Sequence, residues 1–229
     1  MCGRITQDLN LKTLFEIYRL SSTAAALNLV PRYNGCPTQD FVVCRKAGGE
    51  RKLAKLRWGL VPAWSRDLRM GARMINARAE TVHEKPAFRN ALRHRRCVVP
   101  VDGWFEWRRE DGAKQPYFIR RAGGGVISLA GLWERWEKGP EPVETFTVLT
   151  TEASPALAGL HHRQPAIVEP DDLDRWLDPA TPPPRLLEIA RASSPGPFEH
   201  WAVDRAVNHA RNDSPELLHP LGSGNGDGA

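Results

Sequence analysis

The 229-residue chain has only four cysteines, Cys2, Cys36, Cys44 and Cys97, and they are scattered with no CxxC pair among them. A zinc ribbon, a thioredoxin-type redox pair and a disulfide-built scaffold are therefore excluded, and no set of metal-ligating or cofactor-binding residues stands in their place. Also missing is any apolar run near the ~20 residues that span a bilayer. The opening residues do not read as a signal peptide, because Arg4, Gln7, Asp8 and Lys12 interrupt them. A cytoplasmic protein with free thiols is expected, nucleoid-associated when it acts on DNA. No internal repeat is found, and 229 residues suit one domain better than two.

What is present is an ordinary globular balance, 41% hydrophobic and 26% charged, with a net charge of +5 that makes an anionic partner such as nucleic acid plausible without requiring one. Leu9, Leu11, Leu14, Phe15, Ile17 and Tyr18 approach helical spacing behind a strand that begins near Cys2. Strand-like runs follow at 41–44, 53–58, 97–107, 116–119, 126–132, 146–150 and 166–168. Asp111-Gly112, the triple glycine 123–125 and Gly139-Pro140 read as hairpin turns. Helices are expected at 86–93, after the Ser154-Pro155 cap and ending before His161, at 172–177 and at 186–190. These elements predict an α+β fold, a mainly antiparallel, barrel-like sheet core flanked by short helices. One domain over 1–221 and a disordered glycine-rich tail over 222–229 are expected.

Position two carries the sharpest chemical signal. A small residue after the initiator methionine permits removal of Met1, and Cys2 would then present a 1,2-aminothiol. Its α-amine, with a pKa of ~7.7–8.0, is partly deprotonated at neutral pH, and the thiol lies on the same residue. The amine can form a Schiff base with an aldehyde and the thiol can close a thiazolidine ring, chemistry that no other amino acid offers. The same Cys2 could instead be the nucleophile of an N-terminal-cysteine peptidase or amidohydrolase, or be only a small residue after the start.

In Asp102-Gly103-Trp104-Phe105-Glu106-Trp107, strand alternation puts Asp102, Trp104 and Glu106 on one face. Glu106 is then either a desolvated general acid or a glutamate on a wet surface. Asn76 and Arg78 share a face if 75–80 is extended, where an amide could orient an oxygen and a guanidinium could clamp phosphate. His161, next to His162 and Arg163, is a candidate acid or base. The tryptophans of WGLVPAW (58–64) and the basic run Arg89, Arg93, His94, Arg95, Arg96 could serve stacked bases and phosphates, or merely the core and a solvated face.

In order and type these segments resemble the SOS response-associated peptidase family, also described as abasic-site processing or DNA-crosslinking proteins. The resemblance runs from Met1-Cys2-Gly3-Arg4 through RYNGCPTQ, WGLVPAW, INARAET, RRCVVPVDGWFEW, KQPYFI, LAGLWE, LTTEA and LHHRQPAIV to VNHARNDSPEL. It implies that Cys2 crosslinks to the aldehyde of an abasic site in single-stranded DNA, assisted by Asn76, Glu106 and His161. Reversal, lyase release and a peptidase activity that removes Met1 are implied as further outcomes, with the protein acting as a monomer. It further implies DNA contacts at positions matching Arg4, Asn34, Trp64, Arg78, Thr150 and Arg163. Cys36 stands where many relatives have alanine, Ser65 where some have a second tryptophan and His162 where some have aspartate; Ser65 would weaken stacking, and His162 leaves two histidines to choose between.

Overall fold

A computed structural model describes residues 2–20, 27–192 and 196–222, so most of the expected glycine-rich tail lies outside the described residues. The chain begins with β1 (Ile5–Gln7), α1 (Leu11–Tyr18), β2 (Arg32–Gly35), β3 (Asp40–Ala47), β4 (Glu50–Trp58), β5 (Asn76–Arg78) and α2 (Arg89–His94). It continues through β6 (Arg96–Val101), β7 (Gly103–Glu110), β8 (Ala113–Arg121), β9 (Ile127–Trp136), β10 (Val143–Glu152), α3 (Pro155–Ala158) and β11 (Arg163–Pro165). It ends with α4 (Leu173–Leu177), α5 (Pro183–Arg191) and β12 (Phe198–Ala202). Among the described residues no helix is long and apolar enough to cross a membrane.

Strands β10, β4, β3, β6 and β9 pair in that order, and β9 pairs again with β10, closing a five-stranded barrel in which only the β10–β4 pairing is parallel. A second, fully antiparallel sheet runs β12-β8-β7-β1-β2. The α+β, barrel-based expectation holds.

Alternation along the barrel strands sorts the core. Phe41, Val43, Leu56, Trp58, Val99, Leu129, Phe146 and Val148 fall in one buried cluster with Ile5, Trp104 and Ile119 of the second sheet. The intervening Cys44, Val98, Ala130, Leu132 and Leu149 pack instead with Leu14, Trp176, Leu186 and Ile189 of the helices. Trp58 and Phe146 stack at 6.2 Å, with Phe41 edge-on to both, so the first tryptophan of WGLVPAW is core.

Three local expectations change. The run 97–107 is two strands in two sheets, broken at Asp102, whose carboxylate accepts the Asp8 N–H. Gly103 makes the corner possible, since a Cβ there would lie 2.4 Å from the Ile119 carbonyl oxygen. Asp111 and Gly112, both at positive φ, do form the β7–β8 hairpin, but the triple glycine links β8 to β9 across the two sheets. The expected strand 166–168 gives only an Ile167–Leu129 bridge after β11, because its backbone divides its hydrogen bonds between β10, through Leu149, and β9, through Ser128 and Ala130.

Burial pushes the Asp102 carboxyl up to about 6. A folded-state value above the unfolded ~3.9 means that this group's contribution is full below pH ~4 and is lost as pH rises through about 6. Asp102→Asn, which keeps an oxygen acceptor for Asp8, should therefore leave Tm unchanged near pH 4 and raise it by roughly 2–6 °C at pH 7.5, on the order of 1–2 kcal/mol. Thermal melts at the two pH values check this; a destabilised variant at pH 7.5 would count against it.

Candidate active site

The N-terminal segment is held by β1, which lies between β7 and β2. Ile5 pairs with Trp104, Thr6 with Gly103, and the Phe105 N–H donates to the Arg4 carbonyl at 3.0 Å. That antiparallel register runs residues 2–4 alongside 105–107, which brings Cys2 and Glu106 to the same end of the sheet. Cys2 is fully buried and Glu106 is 3% exposed. All four cysteines are buried free thiols.

Burial pushes the Cys2 thiol well above the usual thiol range, and the Glu106 charge pushes it further. Burial likewise raises the Glu106 carboxyl, against the opposing pull of the charge at the chain's amino terminus. The glutamate is thus the desolvated acid and not the wet-face residue. Trp104, expected on its face, is buried edge-on to Phe198 at 5.6 Å, whereas Asp102 sits back at the corner between the sheets.

Asn76 reaches the same place from the barrel side. The 75–80 segment is extended as far as β5, which runs parallel to β10 with Asn76 opposite Val148 and Arg78 opposite Thr150. Asn76 Nδ2 donates to the Cys2 carbonyl oxygen at 2.7 Å, and its Oδ1 is buried with no hydrogen-bond partner among the described residues. His161 follows α3, its half-buried ring stacked on exposed His162 at a centroid distance of 4.4 Å. Burial lowers its pKa first and the amino-terminal charge lowers it next, so His161 senses the same charge that Cys2 and Glu106 sense.

The residues expected to contact DNA divide sharply. Trp64 is 53% exposed, and Arg78 is exposed at the rim beside His162. Asn34, Thr150 and Arg163, by contrast, are each buried and bonded within the protein. Asn34 Nδ2 donates to the carbonyls of Val207, His209 and Asn212, fastening the C-terminal segment to β2. Arg4 joins that latch, donating to Asn34 Oδ1 and Val207 O, both at 2.6 Å. Arg163 forms a two-point pair with Glu80 at 2.7 and 2.9 Å and donates to Thr150 O at 2.6 Å.

The basic run divides similarly. Arg96 is buried with its donors on the carbonyls of Leu92, Arg93, Trp176 and Asp178, whereas Arg89 and Arg93 are exposed. Sequence reasoning missed Arg66, Arg69 and Arg73, which line a groove with Trp64. Arginines at positions 66, 69 and 73, close behind the tryptophans of WGLVPAW, were the available signal. Among the described residues no cluster of three or more histidine, cysteine, aspartate or glutamate side chains could hold a metal ion.

A family model described as SOS response associated peptidase matches residues 1–210. The chain is 36% identical over 222 residues to the abasic site processing protein YoqW of Bacillus subtilis (strain 168), covering 95% of this chain and 99% of that one. It is 31% identical over 230 residues to the abasic site processing protein YedK of Escherichia coli (strain K12), covering 96% and 100%. The crystal structure of a Bacteroides thetaiotaomicron protein shares the fold, with a TM-score of 0.80 over 96% of this chain and 99% of that one at 23% identity.

Proposed function

The chain belongs to the SOS response associated peptidase family, and on that footing we propose that it processes abasic sites in single-stranded DNA by covalent capture at Cys2. The observation that carries the reading is the convergence of Asn76 and Glu106 on Cys2: an amide 2.7 Å from its carbonyl oxygen, and a buried carboxyl whose charge the thiol feels. With Met1 removed, Cys2 supplies the amine as well as the sulfur.

The steps balance without any redox partner. Glu106 protonates the sugar ring oxygen as its bond to C1 breaks, while the C1 hydroxyl proton passes to a base, and an aldehyde is released. The Cys2 amine adds to the aldehyde carbon, and loss of water leaves a C=N bond, with His161 moving the protons between nitrogen and the departing oxygen. The thiol then adds across C=N; the C–S bond forms and the sulfur's proton ends on nitrogen. Aldehyde plus aminothiol become thiazolidine plus water.

Asn76 fixes the Cys2 carbonyl through Nδ2 and offers Oδ1 to the amine. Consuming the C=N bond removes the electron sink for β-elimination, so the ring shields the strand from scission. Trp64, Arg78 and the arginines of the neighbouring groove supply stacking and phosphate contacts. The purified protein mixed with abasic single-stranded DNA should give a denaturant-stable adduct whose intact mass equals protein plus DNA minus water. Turnover of peptide substrates with no such adduct would favour an N-terminal-cysteine peptidase instead.

A further inference from the structure

The loop between α3 and β11 carries a second imidazole that the capture chemistry leaves unused. His162 is exposed, and its ring is held against His161 at a centroid distance of 4.4 Å and an interplanar angle of 26°. Its backbone is fixed as well, because its carbonyl accepts the Ala153 N–H at 3.1 Å. Among the described residues no hydrogen bond engages its ring nitrogens, so both remain available to a ligand.

The ring borders a cavity of about 430 Å³ whose other walls are Arg78, Glu152, Ala153, Ala158 and Arg163. Arg163 is already forked onto Glu80 at 2.7 and 2.9 Å, which leaves exposed Arg78 as the guanidinium free to meet a ligand there. Arg78 lies on β5 two residues beyond Asn76, so the cavity opens beside the reacting centre. A phosphate seated in it has a permanent cation on one side and a titratable ring on the other.

The groups facing that ring come from five elements. His161, foremost, then loss of solvent, then the amino terminus, Arg163 and Arg78 hold the His162 imidazole below the usual histidine range. On the acidic side stand Glu152 at the end of β10, which lines the cavity, and Glu106 of β7, whose carboxyl feels the His162 charge. Surrounded mainly by cations, the ring is neutral at pH 7; a phosphate arriving among those cations offsets them and favours the imidazolium.

We propose that His162 is a proton-coupled phosphate contact: a DNA phosphate seated beside Arg78 draws a proton from solvent onto this imidazole, which then grips the strand as a cation. This rests on the action on single-stranded DNA proposed above, and its test needs no crosslink. The probe is single-stranded DNA carrying a tetrahydrofuran ring in place of the abasic sugar, which has no aldehyde to capture. Wild-type affinity at fixed salt should rise about fivefold from about pH 7.5 to about pH 6, and the slope of log affinity against log salt should steepen by about 0.7, one further phosphate neutralised. His162→Gln should keep under about twofold of that gain, the share belonging to the amino terminus and His161, with an unchanged salt slope. His162→Lys, charged throughout, should bind at pH 7.5 about as tightly as wild type does near pH 6 and respond little to pH.

A folded His162→Gln protein with the wild-type pH response and salt slope would overturn the inference. So would a His162→Lys protein that keeps the wild-type pH response, which decides the matter even if the glutamine variant fails to fold. A wild type that captures abasic DNA yet binds the probe equally at both pH values removes this inference alone. A wild type that neither binds the probe nor forms an abasic adduct removes the reading of function and the inference together.

Discussion

Cys2→Ala should lose the stable abasic adduct by on the order of a thousandfold or more while still attacking the aldehyde. Alanine at position two also permits removal of Met1, so the variant keeps an α-amine beside Asn76 and can make the C=N bond. What it lacks is the second nucleophile, held on the same residue at high effective concentration. The C=N bond then persists, and β-elimination competes with hydrolysis. The variant should show more strand scission than wild type and an adduct that survives denaturation only after borohydride reduction. Because burial and the Glu106 charge both push the Cys2 thiol upward, the sulfur is the weaker first nucleophile, and the expected order is amine first, thiol second. A borohydride-independent adduct of thiazolidine mass from Cys2→Ala would refute both the assignment and the order.

How far such a site can be read from sequence depends on how local its cause is. The reactivity of Cys2 needs only its position and its two functional groups, and the burial of Glu106 was one of two outcomes that strand alternation among aromatics allowed. The Asp111-Gly112 turn was equally local, because its positive φ values suit a two-residue hairpin. Asn34, Thr150 and Arg163 were not legible in this way. Whether a guanidinium faces a phosphate or a carboxylate depends on partners far along the chain, and Glu80 is 83 residues from Arg163. Arg4 and Asn34 reach further still, to Val207, 203 and 173 residues away. The apolar run through Asp102 hid a change of sheet for the same reason: hydrophobicity reports burial on both sides of the corner, while the break itself depends on Asp8 and on the close approach at Gly103. Local chemistry singled out Cys2 as the candidate nucleophile, and tertiary pairing decided which arginines stay exposed.

Glu106→Gln should slow capture by about a hundredfold or more and, unlike Cys2→Ala, leave the thiazolidine product intact. Glutamine keeps the shape and the hydrogen-bonding oxygen but has no proton to give the ring oxygen. Burial raises the Glu106 carboxyl, so the acid form extends to higher pH than for an exposed glutamate, and activity that needs it must fall as pH rises through that raised value. The rising limb comes from the free amine and from His161, whose lowered pKa leaves it neutral at the working pH. Wild type should therefore give a bell-shaped profile, and Glu106→Gln should lose the alkaline fall along with most of the rate. Microscopic reversibility adds a second consequence: a group that protonates oxygen on the way in also serves on the way out, so crosslinks formed slowly by the variant should outlive those of wild type. Single-turnover crosslinking across pH, followed by chase with excess unlabelled abasic DNA, measures both. An alkaline limb unchanged in Glu106→Gln would move the acid role to another residue, and a crosslink that reverses at the wild-type rate would separate the acid of capture from the acid of release.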